Sequence, residues 1–299
     1  MNLSRLPIVA MMALVVSLLP PEAGLNASGK EAGHLLIIGG GTRTPEMMDR
    51  FITLADGRHR GKIIVLPMAS SEAETTGMEQ VEQFRAQGVK NVDYIILNRE
   101  QASDPAAMKM FEGVTGVFLS GGDQSRLTAA IGGTPVHDWL KTLYRNGGTI
   151  SGTSAGAAVM SKVMITGDEI LNTDSSEAFV FMKKGNIKTT EGFGFLEDVI
   201  IDQHFVRRKR HNRLLSLVME NPRLLGVGID EATCIVVTGD EFEVLGERTV
   251  VVYDASNAGN IRPDKNGNLS ATNIVTHILL SGDKFHMITR LPIIRKSKE

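Results

Sequence analysis

The sequence predicts an α/β protein with a mostly parallel, twisted sheet and helices on both faces. Two observations predict it: β-rich runs alternate with amphipathic segments from residue 34 onward, and glycine clusters follow three of the runs. The runs are 34–38, 62–66, 92–97, 116–119 and 148–151, and the amphipathic segments are 45–55, 75–87, 105–111 and 136–145. Strands separated by helices imply right-handed crossovers, parallel pairing and chemistry at the carboxyl ends of the strands. Farther along, residues 241–253 are predicted to form a β hairpin.

The composition is that of an ordinary globular chain. Its 299 residues include 42% hydrophobic and 22% charged residues, with a formal net charge of −2, and we expect one large domain over residues 28–299. A near-neutral chain lacks the strongly basic character of a dedicated nucleic-acid binder, so no nucleic-acid partner is expected. Cys234 is the single cysteine, so no internal disulfide can form.

Residues 1–27 have the pattern of a secretory signal peptide. Arg5 supplies a positive start, residues 8–19 are apolar apart from Ser17, and Pro20-Pro21 ends the run. The run is shorter than the roughly 20 apolar residues that a transmembrane helix needs. We therefore expect an exported protein, periplasmic or secreted, with no stable membrane insertion after cleavage. An uncleaved anchor stays open, because residues 25–27 match a cleavage site only loosely.

Ser154 is the candidate nucleophile, because residues 152–156 read Gly-Thr-Ser-Ala-Gly between an apolar run and a helix-forming run. A strand-to-helix elbow turns so sharply that small neighbours are needed, and the turn exposes the serine hydroxyl. The N–H of Ala155 would then face an incoming carbonyl oxygen. The alternative is that Ser154 is only the N-cap of a helix over 155–162.

Two further glycine clusters lie at predicted strand ends. Residues 39–44, Gly-Gly-Gly-Thr-Arg-Thr, lack the last glycine of the dinucleotide fingerprint and the Gly-Lys-Ser/Thr of a Walker motif, so nucleotide binding is not favoured. Gly121-Gly122-Asp123 could supply the second N–H donor of an oxyanion hole, or could be only a tight turn.

His204 is the candidate general base, because it follows the apolar run 199–201 and the polar pair Asp202-Gln203. A purely structural histidine is the alternative. A metal site is less favoured, since His204 and His211 are not at a familiar ligand spacing and no His-Glu-x-x-His motif occurs.

Two acids and a basic run complete the candidates. Asp230 and Glu231 follow another short apolar run, and either could orient an imidazole or be an ordinary turn acid. The basic run 207–213 could be a solvated face, or its arginines could bind carboxylates.

Together, four motifs resemble the cyanophycinase family of serine exopeptidases, which is related to bacterial aspartyl dipeptidase. The motifs are 152–157 (Gly-Thr-Ser-Ala-Gly-Ala), 121–124 (Gly-Gly-Asp-Gln), 202–205 (Asp-Gln-His-Phe) with arginines at 208, 210 and 213, and 228–231 (Gly-Ile-Asp-Glu). The resemblance runs from about residue 34 into the 250s. It implies a class I glutamine amidotransferase-like fold, a homodimer and no cofactor.

The resemblance also implies roles for individual residues. Ser154 would be the nucleophile, His204 the base and Glu231 the acid that orients it, although the aspartyl dipeptidase relatives suggest Asp168 or Glu169 instead. The implied oxyanion donors are Gly122 and Ala155, and the implied substrate contacts are Gln124, Asp202, Gln203, Arg208, Arg210 and Arg213.

The implied activity is hydrolysis of cyanophycin, multi-L-arginyl-poly-L-aspartate, to β-Asp-Arg dipeptides. Short isoaspartyl peptides would need much the same chemistry, so an isoaspartyl dipeptidase of the same family is an alternative. A metal-dependent amidohydrolase and a non-catalytic binding protein for anionic peptides are the alternatives from other classes.

Overall fold

The computed structural model describes residues 33–171 and 179–294. The predicted signal peptide, residues 1–27, lies outside the described residues. Within the described ranges, no helix combines the length and the apolar content needed to cross a bilayer.

The largest sheet has nine strands and is half parallel and half antiparallel. Its parallel half is built from the first strands of the chain, in the order β1-β5-β4-β2-β3. These strands are β1 (His34–Ile38), β2 (Lys62–Leu66), β3 (Val92–Tyr94), β4 (Val114–Leu119) and β5 (Thr149–Thr153). The antiparallel half continues from β1 through β10 (Thr233–Thr238), β11 (Glu241–Gly246), β16 (Lys284–His286) and β17 (Leu291–Ile293).

A second sheet of four strands carries part of the candidate site. Its order is β15-β12-β9-β8, with β8 (Val199–Gln203), β9 (Leu225–Ile229), β12 (Val250–Asp254) and β15 (Val275–Leu279). Strands β8 and β9 are parallel, with Gln203 opposite Ile229, so their carboxyl ends lie side by side. Two-stranded ribbons pair β6 (Val163–Glu169) with β7 (Ile187–Glu191) and β13 (Gly259–Pro263) with β14 (Leu269–Thr272).

Helices cover both faces of the parallel strands. They are α1 (Pro45–Leu54), α2 (Ala73–Ala86), α3 (Arg99–Ser103), a 3₁₀ helix (Pro105–Phe111), α4 (Gln124–Ile131), α5 (Pro135–Arg145), α6 (Ala155–Ala158) and α7 (His211–Glu220). Strand β1 shows the two faces, because Leu36 and Ile38 pack with residues of α1 and α2, while Leu35 and Ile37 join the core on the other side.

Three aromatic rings lock α1 and α2 onto their face of the sheet. The centroids of Phe51, Phe84 and Phe118 lie 5.5 to 5.9 Å apart in tilted and edge-on pairs. Each such pair adds about 0.5–1.5 kcal/mol beyond the burial of its apolar area.

The α/β class agrees with the prediction, and three details do not. The large sheet is mixed, not mostly parallel, because the strands after residue 232 add to it in antiparallel pairs. The predicted hairpin over 241–253 is wrong, since β11 and β12 belong to different sheets. The helix predicted over 155–162 ends at Ala158.

Candidate active site

Ser154 lies on a sharp turn between β5 and α6. Its backbone has φ 53° and ψ −108°, a conformation that L-residues rarely adopt and that costs about 1–3 kcal/mol. The turn needs small neighbours, since a Cβ on Gly156 would lie 2.9 Å from the Cβ of Leu119. Ser154 occupies the N-cap position of α6, but its side chain makes no capping hydrogen bond. Its Oγ instead lies 2.9 Å from Nε2 of His204.

His204 and Glu231 meet at the ends of the two adjacent parallel strands β8 and β9. His204 Nδ1 lies 2.7 Å from Glu231 Oε1. Because a carboxylate only accepts hydrogen bonds, Nδ1 carries the proton and Nε2 is left to accept one from the serine hydroxyl. The structure therefore forms a continuous hydrogen-bonded series from Ser154 through His204 to Glu231.

The other acid candidates have different partners. Asp230 accepts the backbone N–H of Arg207 at 2.8 Å and lies 3.5 Å from Arg248, so it fixes the turn after His204. On β6, Asp168 lies 3.4 Å from Lys188 Nζ, and Glu169 accepts the N–H of Phe179 at 2.7 Å. The acid in contact with the imidazole is thus Glu231.

The surroundings of His204 lower its pKa and so favour the neutral imidazole. Burial lowers its pKa below the ordinary value of about 6.5, the hydrogen bond that His204 donates to Glu231 opposes this shift, and the positive charges of Arg208 and Arg210 lower the pKa further. A neutral imidazole near pH 7 can take a proton from Ser154, and the Glu231 carboxylate stabilises the cation that results.

The chain after β1 holds the three segments together, which the sequence analysis missed. Successive carbonyl groups accept backbone N–H groups from each segment: Ile38 from Ser154 at 3.0 Å, Gly39 from His204 at 2.7 Å and Gly40 from Ala232 at 3.0 Å. Ser154 follows β5 of the nine-stranded sheet and His204 follows β8 of the four-stranded sheet, so this short segment connects the two halves of the site.

Two glycines of the same segment leave the space that the site side chains fill. Gly40 has φ +104°, and a Cβ on it would lie 2.5 Å from His204 Nε2. Gly41 has φ +68°, and a Cβ on it would lie 2.9 Å from the Cβ of Glu231. The cluster at 39–41, considered above as a phosphate loop, thus makes room for the imidazole and the carboxylate. In the sequence, the only indication of this role is a run of glycines at the end of a predicted strand. That run does not show which side chains occupy the space beside it.

The glycine turn at 121–122 borders the serine elbow. A Cβ on Gly121 would lie 3.5 Å from the Cβ of Ser154, so this turn borders the serine. The turn is held by the N–H of Asp123, which donates to Ala69, and by the N–H of Gly156, which donates to Ser120. In the described part of the chain the backbone N–H groups of Gly122 and Ala155 donate to no other backbone group, so both are available to a ligand oxygen.

Asp202 and Arg213 are brought together but are not open to a ligand. Both are about 1% exposed, and Arg213 binds Asp202 with two nitrogens, Nε to Oδ2 at 2.7 Å and Nη2 to Oδ1. The expected contact of Asp202 with a substrate amine, and of Arg213 with a carboxylate, is replaced by this internal ion pair.

Of the remaining predicted substrate contacts, Gln203, Arg210 and Gln124 make hydrogen bonds within the protein, and Arg208 is exposed. Arg210 donates to the carbonyl and side-chain oxygens of Gln203 at 2.7 and 2.9 Å. Gln124 is buried, and its Nε2 donates to Ile165 and Thr166, both at 2.7 Å. Arg208 is exposed. His211, weighed above as a metal ligand, lies 2.7 Å from the hydroxyl of Tyr253.

An α/β fold with a strained serine at a strand-to-helix turn, in contact with a histidine, is typical of hydrolases that use a serine nucleophile. Residues 35–245 match the model of Peptidase family S51, and the chain belongs to this family. It is 35% identical over 273 residues to the cyanophycinase of Trichormus variabilis, covering 88% of this chain and 89% of that protein. It is 34% identical over 270 residues to the cyanophycinase of Geminocystis herdmanii, covering 87% and 95% of the two chains.

A solved structure is similar in fold. The crystal structure of a peptidase from an acI-B1 Actinobacterium superposes with a TM-score of 0.61 at 22% sequence identity, covering 86% of this chain and 97% of that one.

Proposed function

We propose that the protein is a serine-type exopeptidase that hydrolyses cyanophycin to β-Asp-Arg dipeptides, with Ser154, His204 and Glu231 as its catalytic triad. The hydrogen-bonded series of Ser154, His204 and Glu231, at 2.9 and 2.7 Å, carries the proposal. The substrate is suggested by the relatives, whose name is cyanophycinase and which match most of the chain.

The reaction is an acyl transfer in two steps. Ser154 Oγ attacks a peptide carbonyl carbon while its proton moves to His204 Nε2, and the carbonyl oxygen becomes an oxyanion. The N–H groups of Gly122 and Ala155 stabilise that oxyanion, a contribution of about 10²–10³-fold per donor. The C–N bond then breaks as His204 returns the proton to the leaving amine.

The second step regenerates the enzyme. Water gives a proton to His204 and adds to the ester, and collapse of this second intermediate releases the carboxylic acid and restores Ser154. No cofactor takes part.

Recognition of the β-aspartyl substrate falls to the basic residues around His204. Arg208 and Arg210 bind substrate carboxylates through charge-assisted hydrogen bonds. Gln203 accepts two hydrogen bonds from Arg210, and Asp202, which is paired with Arg213, lies 3.8 Å from Arg210, so these three residues keep Arg210 in place. Gln124 binds the carbonyl groups of Ile165 and Thr166 on β6.

The finer features are part of the same proposal. The fold is class I glutamine amidotransferase-like, residues 1–27 are a signal peptide that exports the enzyme to the periplasm or the medium, and residues 28–299 form a single peptidase domain that assembles as a homodimer. N-terminal sequencing of protein recovered from cell fractions tests the export, and sedimentation equilibrium tests the dimer.

The activity is tested with purified protein and cyanophycin. We expect release of β-Asp-Arg dipeptides, and a loss on the order of 10⁴-fold or more in rate for Ser154→Ala. Undiminished hydrolysis by that variant would refute the mechanism. A higher kcat/KM for free isoaspartyl dipeptides than for the polymer would assign the protein to the isoaspartyl dipeptidases.

A further inference from the structure

A groove between α1 and α2 begins beside the catalytic acid. A cavity of about 490 Å³ is lined by residues that include Gly41, Arg43, Gln83 and Gln87, and an adjoining cavity of about 550 Å³ shares Arg43 and Gln87 with it. At its inner end, a Cβ on Gly41 would lie 3.3 Å from Glu231 Oε2. We call these two connected cavities the Arg43 groove.

The guanidinium of Arg43 lies on the face of the sheet that α1 and α2 cover. Its carbon is 5.6 Å from the ring centroid of Phe118 on β4, and Phe118 packs with residues of α1 and α2. The link between Arg43 and the site is Gly41, which lines the same cavity and borders Glu231.

The charge of Arg43 is not balanced by an acid. Its Nη2 donates to Gln83 Oε1, and in residues 33–171 and 179–294 no acidic side chain forms an ion pair with it. Glu46 and Asp49 both line the outer cavity, where Asp49 lies 2.8 Å from Arg58 and neither acid is within ion-pair distance of Arg43. Partial burial lowers the pKa of the Arg43 guanidinium, so the cation has lost part of its hydration. An anion entering the groove would replace that hydration.

We propose that Arg43 binds a carboxylate of the peptide substrate, at a subsite separate from the wall formed by Arg208 and Arg210. The proposal rests on the proposed function for its ligand. In an arginyl-aspartate polymer, arginine is joined through its amino group, so each unit keeps a free carboxylate. The planar guanidinium suits such a group, because Arg binds carboxylates with two parallel hydrogen bonds. The neighbouring side chains of Gln83 and Gln87 are uncharged and do not repel a carboxylate.

The test measures binding without turnover. Two ligands are compared, a short β-Asp-Arg oligomer and the same oligomer with its arginine carboxylates converted to amides. Calorimetry is done with Ser154→Ala protein, with and without Arg43→Gln. We expect Arg43→Gln to weaken binding of the carboxylate oligomer about tenfold or more, and binding of the amide oligomer less than twofold. Arg43→Lys, which keeps the charge but loses the paired donors, should fall between.

A matched control removes the same charge elsewhere: Arg262→Gln, on exposed β13, should change neither affinity. Equal losses for the two oligomers, no loss for either, or no binding of the carboxylate oligomer at all would each overturn the proposal. Hydrolysis by the wild-type protein is scored separately. An inactive enzyme whose oligomer binding still depends on Arg43 would contradict the proposed function and leave this subsite standing.

Discussion

Gly40 provides the space for the ring of His204: a Cβ on Gly40 would lie 2.5 Å from Nε2, the atom that contacts the serine hydroxyl. The imidazole thus packs against bare backbone. The position of the proposed general base is set by a residue that has no side chain.

Gly40→Ala should therefore abolish most activity while the protein stays folded. We expect kcat/KM to fall by about 10²-fold or more, because the new methyl group displaces the imidazole from Ser154. Gly113→Ala is the matched control, since Gly113 also has a positive φ of +72° but has open space where the Cβ would lie. An alanine is more strained at φ +104° than at φ +72°, so Gly40→Ala should also lower the melting temperature more, and the activities are compared at a temperature at which both variants are folded. Equal activities in the two variants would contradict this account.

Glu231→Gln should cost on the order of 10³-fold or more in kcat. A glutamine amide can turn its nitrogen toward Nδ1 and favour the tautomer that has its proton on Nε2, which cannot accept from Ser154. Asp168→Asn and Glu169→Gln are the comparison, and each should retain activity within about tenfold, because their partners are Lys188 on β7 and Phe179 before it, not the imidazole. A larger loss at either position would give that residue the role assigned to Glu231.

The pH profile should report the lowered pKa of His204. Activity needs the neutral imidazole, so the acidic limb of kcat/KM should lie below the ordinary histidine value of about 6.5. Arg208 contributes to that lowering by disfavouring a second positive charge nearby. Arg208→Gln should therefore raise the pKa and move the acidic limb to higher pH, while Arg262→Gln should leave it in place. A shift of the limb to lower pH would refute the electrostatic explanation.

Substitutions of Asp202 or Arg213 should lower the stability of the protein more than they weaken substrate binding. Asp202→Asn leaves a buried guanidinium without its counterion, and Arg213→Met leaves a buried carboxylate. Each should lower the free energy of unfolding by about 3–5 kcal/mol, measured by urea denaturation. The double variant should lose less than the sum of the two. An increase in KM with unchanged stability would instead return both residues to the substrate contacts predicted from the sequence.

The contacts among Ser154, His204 and Glu231 could be anticipated in part because each residue follows an apolar run. Parallel pairing places the carboxyl ends of β8 and β9 side by side, which accounts for the contact of His204 with Glu231. Ser154 follows β5 of the other sheet, and no sequence pattern says how the two sheets meet. The supporting glycines were harder to interpret. Gly40 and Gly41 are small because His204 and Glu231 need their space, and a contact between residues 40 and 204 leaves no local pattern.

The hairpin predicted over residues 241–253 is wrong for a specific structural reason. Residues 247–249 look like a short turn between two β-rich runs, and a hairpin is the usual consequence. In the structure, Glu247 donates its N–H to Ala232, Arg248 to the hydroxyl of Thr233, and Thr249 accepts the N–H of Asp230. These bonds to the chain after β9 lead the backbone from one sheet into the other. Pairing partners of this kind are tertiary information, which alternation of apolar residues does not contain.

The three carbonyl groups of Ile38, Gly39 and Gly40 bind segments that come from two separate sheets. Each sheet could keep its own ladder of hydrogen bonds if the two moved apart, but the serine and the imidazole would then lose contact. The rate of turnover should therefore depend on the fraction of molecules in which the two sheets are in contact. Circular dichroism should detect the strands whether or not the sheets are in contact. Loss of activity with an unchanged strand signal would therefore indicate that the two sheets have moved apart.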